Sequence, residues 1–164
     1  SKADVAIRVT RAPKWKKFYV EKIMDEDLVP ICSPEIKITK PDDLSEQTLL
    51  QHTSRSTMWH EYLKAIGYDQ LKIEHKLGFE HFFMLIKAAT DGLGVALVPR
   101  ILINNELLHG QLIIAFESDY HSPFSYYLLC QKKKLELKKI QVFREWLCTV
   151  TKTSPEKMYA RTGK

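Results

Sequence analysis

A run of four apolar residues, Val-Ala-Leu-Val at 95–98, lies near the middle of the chain between Gly94 and Pro99. A short run without any polar residue is typical of a strand that is buried on both faces of its sheet. Such a strand needs helices packed on both sides. The run therefore favours a layered α/β fold.

Apolar residues at intervals of three and four predict amphipathic helices around this strand. The first stripe ends before Gly67, which suits a left-handed helix stop, and it consists of Trp59, Tyr62, Leu63 and Ile66. The second stripe ends at residues 91–94 and consists of Phe79, Phe82, Phe83, Ile86 and Ala89. We predict a further helix between Pro99 and Gly110. The last helix is predicted over about residues 135–150, with a stripe of Ile140, Phe143, Leu147 and Val150.

Alternating apolar residues predict the strands, which we place at residues 4–9, 19–24, 48–50, 71–73, 112–116 and 124–130. Residues 28–32 are also apolar, but Pro30 has no N–H, so we predict an edge or connecting strand there. Pro41 and the acids after it predict a short helical turn. Because strands and helices alternate in the middle of the chain, we expect a mostly parallel sheet with right-handed crossovers.

Composition limits the class of protein. The 164 residues suffice for one domain or two small lobes, and 45% hydrophobic with 27% charged residues is close to the globular average. No apolar run reaches the roughly 18–20 residues of a membrane span, and no secretory signal opens the sequence. The cysteines Cys32, Cys130 and Cys148 are odd in number and widely spaced, which argues against a disulfide scaffold and favours a reducing cytoplasm.

Two groups of lysines contribute to the net charge of +5, namely Lys14, Lys16 and Lys17, and Lys132, Lys133, Lys134, Lys138 and Lys139. A cationic surface can attract phosphate or acidic ligands. A solvated face that keeps the protein dispersed is the commoner explanation, and both remain open from the sequence.

Motifs for catalysis or metal binding are weak. The Gly-x-Gly at residues 92–94 follows a helix and precedes a strand, the reverse of a dinucleotide loop. Cys32 has no nucleophile motif around it, and burial explains it better. None of the histidines has zinc-ligand spacing; they are His52, His60, His75, His81, His109 and His121. The residues therefore predict a non-catalytic α/β domain without a metal or cofactor, and they leave a small-ligand site open.

An ordered set of short motifs then resembles a known family. The motifs are LVPICSP at 28–34, AATDGLGVALVP at 88–99, LLHGQL at 107–112, YYLL at 126–129 and FREWL at 143–147. Together they resemble the effector-binding domain of LysR-type transcriptional regulators, in the branch of the glycine-cleavage activator and the β-lactamase regulator. The resemblance covers about residues 4–150.

This resemblance implies the α/β fold of type 2 periplasmic binding proteins, in which two lobes are joined by two crossover strands and a small ligand binds in the cleft. The partial first lobe with its crossovers would comprise residues 1–33 and 124–150, the second α/β lobe residues 34–123, and a polar tail residues 151–164. Residues 28–33 would be the outgoing crossover and 126–130 the return. The first lobe is expected to be incomplete, so the last helix should expose part of its apolar face.

The resemblance also implies a set of ligand-binding residues, namely Thr53, Ser54, Ser56, Thr57, Phe79, Glu80, Val9, Thr10 and Tyr126. The four hydroxyl residues precede the Trp59 helix, whose free N–H groups and positive dipole end suit a polar ligand. Helix capping is the alternative role for these hydroxyls. Glu80 opposes an anionic ligand and Arg55 favours one, so the charge of the ligand stays open.

The implied function is that of an effector-sensing domain of a cytoplasmic transcription regulator, without enzyme activity. An effector that prefers the closed cleft would shift the population of states. DNA would be bound by a helix-turn-helix domain absent from this chain. Full-length copies would form a homodimer or tetramer, pairing lobes head to tail through the Phe82 helix, while this fragment would be monomeric or associate atypically. No membrane partner is implied.

The alternative function is that of a solute-binding transport protein of the same fold.

Overall fold

The computed structural model of the chain describes residues 3–151, which form two compact units. The described part of the first unit comprises residues 3–26 and 123–151, and the second unit is Asp27–Ser122. Of the predicted polar tail at 151–164, only Thr151 lies inside the described residues, where it ends a helix. The lobe boundaries at residues 33 and 124 stay predictions.

The described residues contain eight strands, which are β1 (Val5–Thr10), β2 (Phe18–Asp25), β3 (Leu28–Cys32), β4 (Thr48–His52), β5 (His75–Phe79), β6 (Val95–Pro99), β7 (Ile113–Ile114) and β8 (Ser125–Gln131). The α-helices in the same residues are α1 (Met58–Ala65), α2 (Phe82–Thr90), α3 (Asn104–Leu108) and α4 (Lys138–Thr151). Short 3-10 turns occur at Pro41–Glu46, Thr53–Arg55, Arg100–Leu102 and Lys132–Lys134.

The sheet of the second unit has the order β5-β4-β6-β3-β7. β4 pairs in parallel with both β5 and β6, whereas β3 pairs antiparallel with β6 and β7. The prediction of a mostly parallel sheet is therefore wrong, since the sheet is mixed. Alternating strands and helices indicate parallel pairing only where a helix connects neighbouring strands, and β3 enters the sheet without one.

β6 is the buried centre of the second unit, as its apolar sequence predicts. All five of its residues are buried. Val95 and Leu97 belong to the core cluster that includes the buried side of α1, and Ala96 and Val98 belong to the cluster that includes α2. Because burying a Val or Leu side chain stabilises a fold by about 1.5–3 kcal/mol, this strand anchors both layers.

The predicted helix ends are partly confirmed. α1 is followed by Gly67 at φ +83°, the left-handed stop that the sequence predicts. α2 starts at Phe82 rather than at Phe79, because Phe79 is the last residue of β5. The predicted helix between Pro99 and Gly110 divides into a 3-10 turn and the five-residue α3.

Two predicted strands differ from the structure. Residues 71–73 form no strand; Leu71 and Ile73 are half-buried against the core, and the strand begins only at His75. The strand predicted at 112–116 shortens to Ile113–Ile114. In both places alternating apolar residues reflect packing on one side of an irregular segment rather than strand pairing.

β3 is second from the edge of its sheet, so the prediction of an edge or connecting strand for residues 28–32 needs correction. Pro30 lies opposite Leu97 of β6, and its carbonyl oxygen accepts a hydrogen bond from the Ala115 N–H at 2.9 Å. Because the N and C=O of one strand residue face the same side, the missing N–H of Pro30 faces β7. Ala115, which follows β7 and lies opposite Pro30 in the same register, therefore receives no N–H from β3 in return. The sheet loses this one hydrogen bond at its short outer strand, where proline is tolerated.

The first unit is a three-stranded antiparallel sheet in the order β1-β8-β2, with α4 against β2. The Arg144 Nε donates to Glu21 Oε2 at 2.7 Å, and its Nη2 donates to the Tyr19 hydroxyl at 2.7 Å. The hydrogen bond from Arg144 lowers the pKa of the Glu21 carboxyl. This polar cluster fixes the helix on the sheet.

α4 has two apolar stripes. Of the predicted stripe, Ile140 and Leu147 are buried and Phe143 is half-buried, but Val150 is 40% exposed, contrary to the prediction. On another side, Val142 and Trp146 are 50% and 56% exposed. Part of the apolar surface of the last helix is thus exposed, as expected from the sequence.

Candidate functional site

The carboxyl ends of β4 and β5 meet at one edge of the second unit's sheet. The two strands pair in parallel along their whole length, and His52 lies opposite Phe79. The chain after β4 continues into the turn Thr53–Arg55 and then α1, and the chain after β5 continues through Glu80 into α2. In open α/β sheets this is the edge at which ligands bind.

Six of the nine predicted ligand-binding residues come together at this edge, namely Thr53, Ser54, Ser56, Thr57, Phe79 and Glu80. The chain after β4 lies close to the end of β5, since a Cβ placed on Gly78 would lie 2.9 Å from Cγ2 of Thr53. All of them are exposed except Phe79, which is half-buried and belongs to the core under α2. Sequence spacing predicted this group, but parallel pairing is what brings its two halves together.

The hydroxyl residues do not cap the helix that follows them. Thr57 is the N-cap residue of α1, yet its side chain makes no cap hydrogen bond and instead donates to Glu61 Oε1 at 2.9 Å. The turn Thr53–Arg55 also has no side-chain cap. The capping alternative is therefore not realised here, and the residues Thr53, Ser54 and Ser56 are exposed.

His52 lies at the same edge and was not among the predicted site residues. Its ring packs against Phe82 with the ring centroids 4.7 Å apart. Its Nδ1 is the one buried side-chain nitrogen or oxygen without a hydrogen-bond partner among residues 3–151. Burial lowers the pKa of His52, and electrostatic interaction with Arg55 and His81 lowers it further. The imidazole is therefore neutral at pH 7, with one polar atom unsatisfied.

The other three predicted residues lie in the first unit. Val9 of β1 lies opposite Tyr126 of β8, and Thr10 lies opposite Ser125. The Val9 side chain is 39% exposed, and Tyr126 is half-buried. Val9, Thr10 and Tyr126 are thus neighbours within their own sheet. Their role in binding a ligand stays a prediction.

An ion-pair cluster at the same edge of the second unit was also missed by sequence reasoning. Arg100 follows β6, and its Nε donates to Asp27 Oδ2 at 2.7 Å while its Nη2 donates to Glu117 Oε2 at 2.8 Å. Burial acts to lower the pKa of Arg100, but the hydrogen bonds to Glu117 and Asp27 raise it above its ordinary value. Both carboxylates are thereby occupied by one guanidinium, which suits a structural clamp rather than acid–base chemistry.

Burial determines the state of two of the three thiols. Burial raises the pKa of Cys32 to about 11, so this thiol is protonated at neutral pH. Cys130 is also buried, whereas Cys148 is half-buried. Within residues 3–151 no group of three or more His, Cys, Asp or Glu side chains is placed to hold a metal ion. None of the described helices combines the length and apolar character needed to cross a bilayer.

Comparison with known proteins decides the family. The family model of the LysR substrate binding domain matches residues 1–151. The chain belongs to this family. The resemblance drawn from its motifs is thus confirmed, and so is the type 2 periplasmic-binding-protein-like α/β fold of a LysR effector-binding domain.

Curated relatives of this LysR substrate binding domain are transcriptional regulators. The glycine cleavage system transcriptional activator of Escherichia coli K12 is 34% identical over 163 residues, which cover 96% of this chain and 53% of the relative. The activator AmpR of Citrobacter koseri is 27% identical and is matched over 88% of this chain and 50% of its own length. The chain therefore spans about half the length of these relatives. They favour the regulator over a transport protein.

Solved structures show the same fold. The AmpR effector binding domain from Citrobacter freundii matches with a TM-score of 0.78 at 21% identity, covering 92% of this chain and 76% of that one. The effector domain of AmpR from Pseudomonas aeruginosa matches with a TM-score of 0.79 at 24% identity, over 98% of this LysR substrate binding domain and 76% of the solved chain.

Proposed function

We propose that this LysR substrate binding domain senses a small-molecule effector at the carboxyl edge of β4 and β5, and that it does so for a DNA-binding transcription regulator. The observation that carries the proposal is the group of hydroxyls at residues 53–57, which stand at this edge without capping a helix. His52 beside them adds a neutral imidazole whose buried Nδ1 has no hydrogen-bond partner among the described residues.

The site suits recognition rather than catalysis. It offers hydroxyls, a neutral imidazole and an exposed carboxylate at Glu80, all of which can hydrogen-bond to a polar ligand. A regulatory domain of the same fold, CcmR of Synechocystis, was solved in complex with 2-PG, so a relative of this fold binds a small molecule. We propose that the present domain likewise binds a small molecule and has no enzyme activity.

The effector acts through populations of states. A ligand that binds one conformation more tightly shifts the protein toward it by no more than its difference in affinity. In the full-length regulator this shift changes contacts with DNA, which a separate helix-turn-helix domain makes. Since its relatives regulate transcription, we propose that the protein works in the cytoplasm.

We further propose that the full-length regulator is a homodimer or tetramer, and that the present chain is monomeric or associates atypically. Phe83, Met84 and Leu93 support pairing through the α2 region, because they are 69%, 39% and 47% exposed on one apolar patch. Light scattering of this chain should give the mass of a monomer. A tight dimer that Phe83→Glu dissociates would contradict the monomeric part of this proposal.

A thermal-shift screen tests the site. The chain is heated with millimolar amounts of each of the twenty amino acids, small dicarboxylates and purines, and at least one compound should raise the melting temperature. The double variant Ser54→Ala/Ser56→Ala should lose that shift. Ser45→Ala is the matched control, because Ser45 precedes β4 at the opposite edge of the sheet.

The regulator itself supplies the second measurement. Titration of the full-length protein with the same compounds should change its DNA footprint for the compound that shifts melting. If no compound alters either the melting temperature or the footprint, the proposed function is wrong. If the serine variant and the control lose the shift equally, the site is misplaced.

A further inference from the structure

We propose that the lysine-rich end of the first unit binds the phosphate backbone of double-stranded DNA without reading its sequence. This lysine-rich end consists of Lys14, Lys16, Lys17, Lys132, Lys133, Lys134, Lys138 and Lys139. The inference rests on the proposed function, because that function makes DNA the polyanion that this chain meets. It concerns a surface of the domain itself, separate from any helix-turn-helix domain.

Antiparallel pairing brings the two lysine groups together. Phe18, the first residue of β2, lies opposite Gln131, the last residue of β8. The chain before β2 and the chain after β8 therefore leave the sheet at the same end. The turn Lys132–Lys134 follows β8 directly, and the Phe18 N–H donates to the Trp15 carbonyl at 3.0 Å, which holds the preceding residues in a tight turn.

The start of α4 adds two more lysines to this end. α4 begins at Lys138. The Nζ atoms of Lys134 and Lys139 both donate to the carboxylate of Asp4, which directly precedes β1. Since β1 starts opposite Cys130 near the end of β8, Asp4 holds the helix start at the same end of the sheet.

The charge of the whole chain is concentrated here. The eight lysines face only two acids in these segments, Asp4 and Glu136, which leaves a formal charge of +6. The whole chain carries +5, so its remaining residues are close to neutral. A compact concentration of like charge on an otherwise neutral domain produces a directed field that attracts a polyanion.

Most of these ammonium groups are available. Asp4 engages Lys134 and Lys139, and these hydrogen bonds lower the pKa of its carboxyl to about 2. The other six lysines are exposed and form no ion pair with another residue in the described part of the chain. Six free, flexible ammonium groups are suited to contact several phosphates. Such contacts need a positive charge on a long side chain, but they do not need a fixed geometry.

Folding stability explains only the two lysines that pair with Asp4. Lys138 and Lys139 occupy the first turn of α4, at the positive end of the helix dipole, where cations are unfavourable. Like charges on neighbouring segments also repel each other. Charges that lower the free energy of unfolding in this way are expected on a surface that binds an oppositely charged partner.

DNA binding by the 164-residue chain tests the inference. A fluorescein-labelled duplex of 24 mixed-sequence base pairs is titrated by anisotropy between 25 and 200 mM NaCl. The variant Lys16→Gln/Lys17→Gln/Lys132→Gln/Lys133→Gln should bind at least about tenfold more weakly at 50 mM salt. The slope of log affinity against log salt should also fall by about three to four.

A matched control removes the same net charge elsewhere. It neutralises four exposed lysines of the second unit, namely Lys37, Lys64, Lys72 and Lys76. This control should keep the affinity within about twofold of the unmodified chain. The variant Lys16→Arg/Lys17→Arg/Lys132→Arg/Lys133→Arg keeps the charge and should bind as the unmodified chain does. A circular-dichroism spectrum of the glutamine variant that matches the unmodified chain excludes loss of fold.

Two kinds of result would overturn the inference, and a third would contradict only the proposed function. Equal losses in the cluster variant and the control would show that only net charge matters. Equally tight binding of phosphatidylserine vesicles, or of polyglutamate, would show that the surface does not select DNA. Normal DNA binding combined with a failed effector screen would instead contradict the proposed function and leave this surface intact.

Discussion

The backbone of Gly94 lies so close to the carbonyl oxygen of Thr48 that a Cβ on residue 94 would overlap that oxygen. This contact joins the starts of β6 and β4, just before Leu49 pairs with Val95. Both partners are backbone, so neither can rotate away.

Replacing Gly94 with alanine should therefore destabilise the second unit strongly. The added methyl group must displace one of two buried strands, which costs about 2–4 kcal/mol. Gly92→Ala is the control: Gly92 has φ +77° but open space around it, so only the backbone cost of about 1–2 kcal/mol applies. Urea unfolding of both variants measures the difference, and a Gly94→Ala midpoint equal to that of Gly92→Ala would contradict the contact.

Asp4 should make stability depend on acid pH. Its pKa in the folded chain is about 2, below its ordinary value of 3.8, because Lys134 and Lys139 hydrogen-bond to the carboxylate. The folded state therefore binds this proton less readily, and the stabilisation is present above about pH 4 and is lost as the pH falls toward 2.

Urea midpoints between pH 3 and pH 7 measure this effect. Asp4→Asn should lower the midpoint at pH 7, and the gap to the unmodified chain should narrow on acidification and in high salt. Glu136→Gln removes a neighbouring acid as a control and should show no such pH-dependent gap. A constant gap across this range would mean that Asp4 contributes through packing alone.

Arg100 should stabilise the second unit by joining two carboxylates that are distant in sequence. Its side chain is 26% exposed, whereas those of Asp27 and Glu117 are 55% and 69% exposed, so solvent screens much of the attraction. Arg100→Ala should cost about 1–2 kcal/mol. The control Lys87→Ala removes one exposed pair with Asp91 and should cost less than about 0.5 kcal/mol. Equal midpoints for the two variants in denaturant unfolding would contradict the bridging role.

His52→Phe should stabilise the chain while impairing effector binding. Phenylalanine keeps the contact with Phe82 and removes the unsatisfied Nδ1, a gain of about 1 kcal/mol. The pKa of His52 is lowered in the folded state, so as the pH falls through 6.5 this histidine is protonated in the unfolded chain before it is protonated in the folded chain. The free energy of unfolding therefore decreases in this pH range.

The advantage of His52→Phe should therefore grow between pH 7.5 and pH 5.5 in thermal unfolding. Phenylalanine at the exposed His121 serves as the control and should show no pH-dependent gain. A His52→Phe variant that is less stable than the unmodified chain at every pH would indicate that Nδ1 has a partner.

Local patterns in the sequence predicted much of the fold. Features that depend on residues close in sequence were predicted well. They are the apolar run of β6, the stripe of α1 with its Gly67 stop, and the turn at Pro41–Glu46. The ordered motifs also identified the family. The same patterns failed at residues 71–73, because one-sided packing of an irregular segment produces the alternation of a strand.

The sequence by itself determined most of the buried and helical segments, because the spacing of apolar residues predicts burial and helical period. Its ordered motifs also determined the family to which the chain belongs. Only the tertiary structure decided that His52 lies beside Phe82 with an unpaired nitrogen, that Arg100 joins Asp27 to Glu117, and that two distant lysine groups share one end of a sheet. These relationships depend on strand pairing between segments far apart in the chain. The spacing of residues within one segment does not determine which other segment it pairs with.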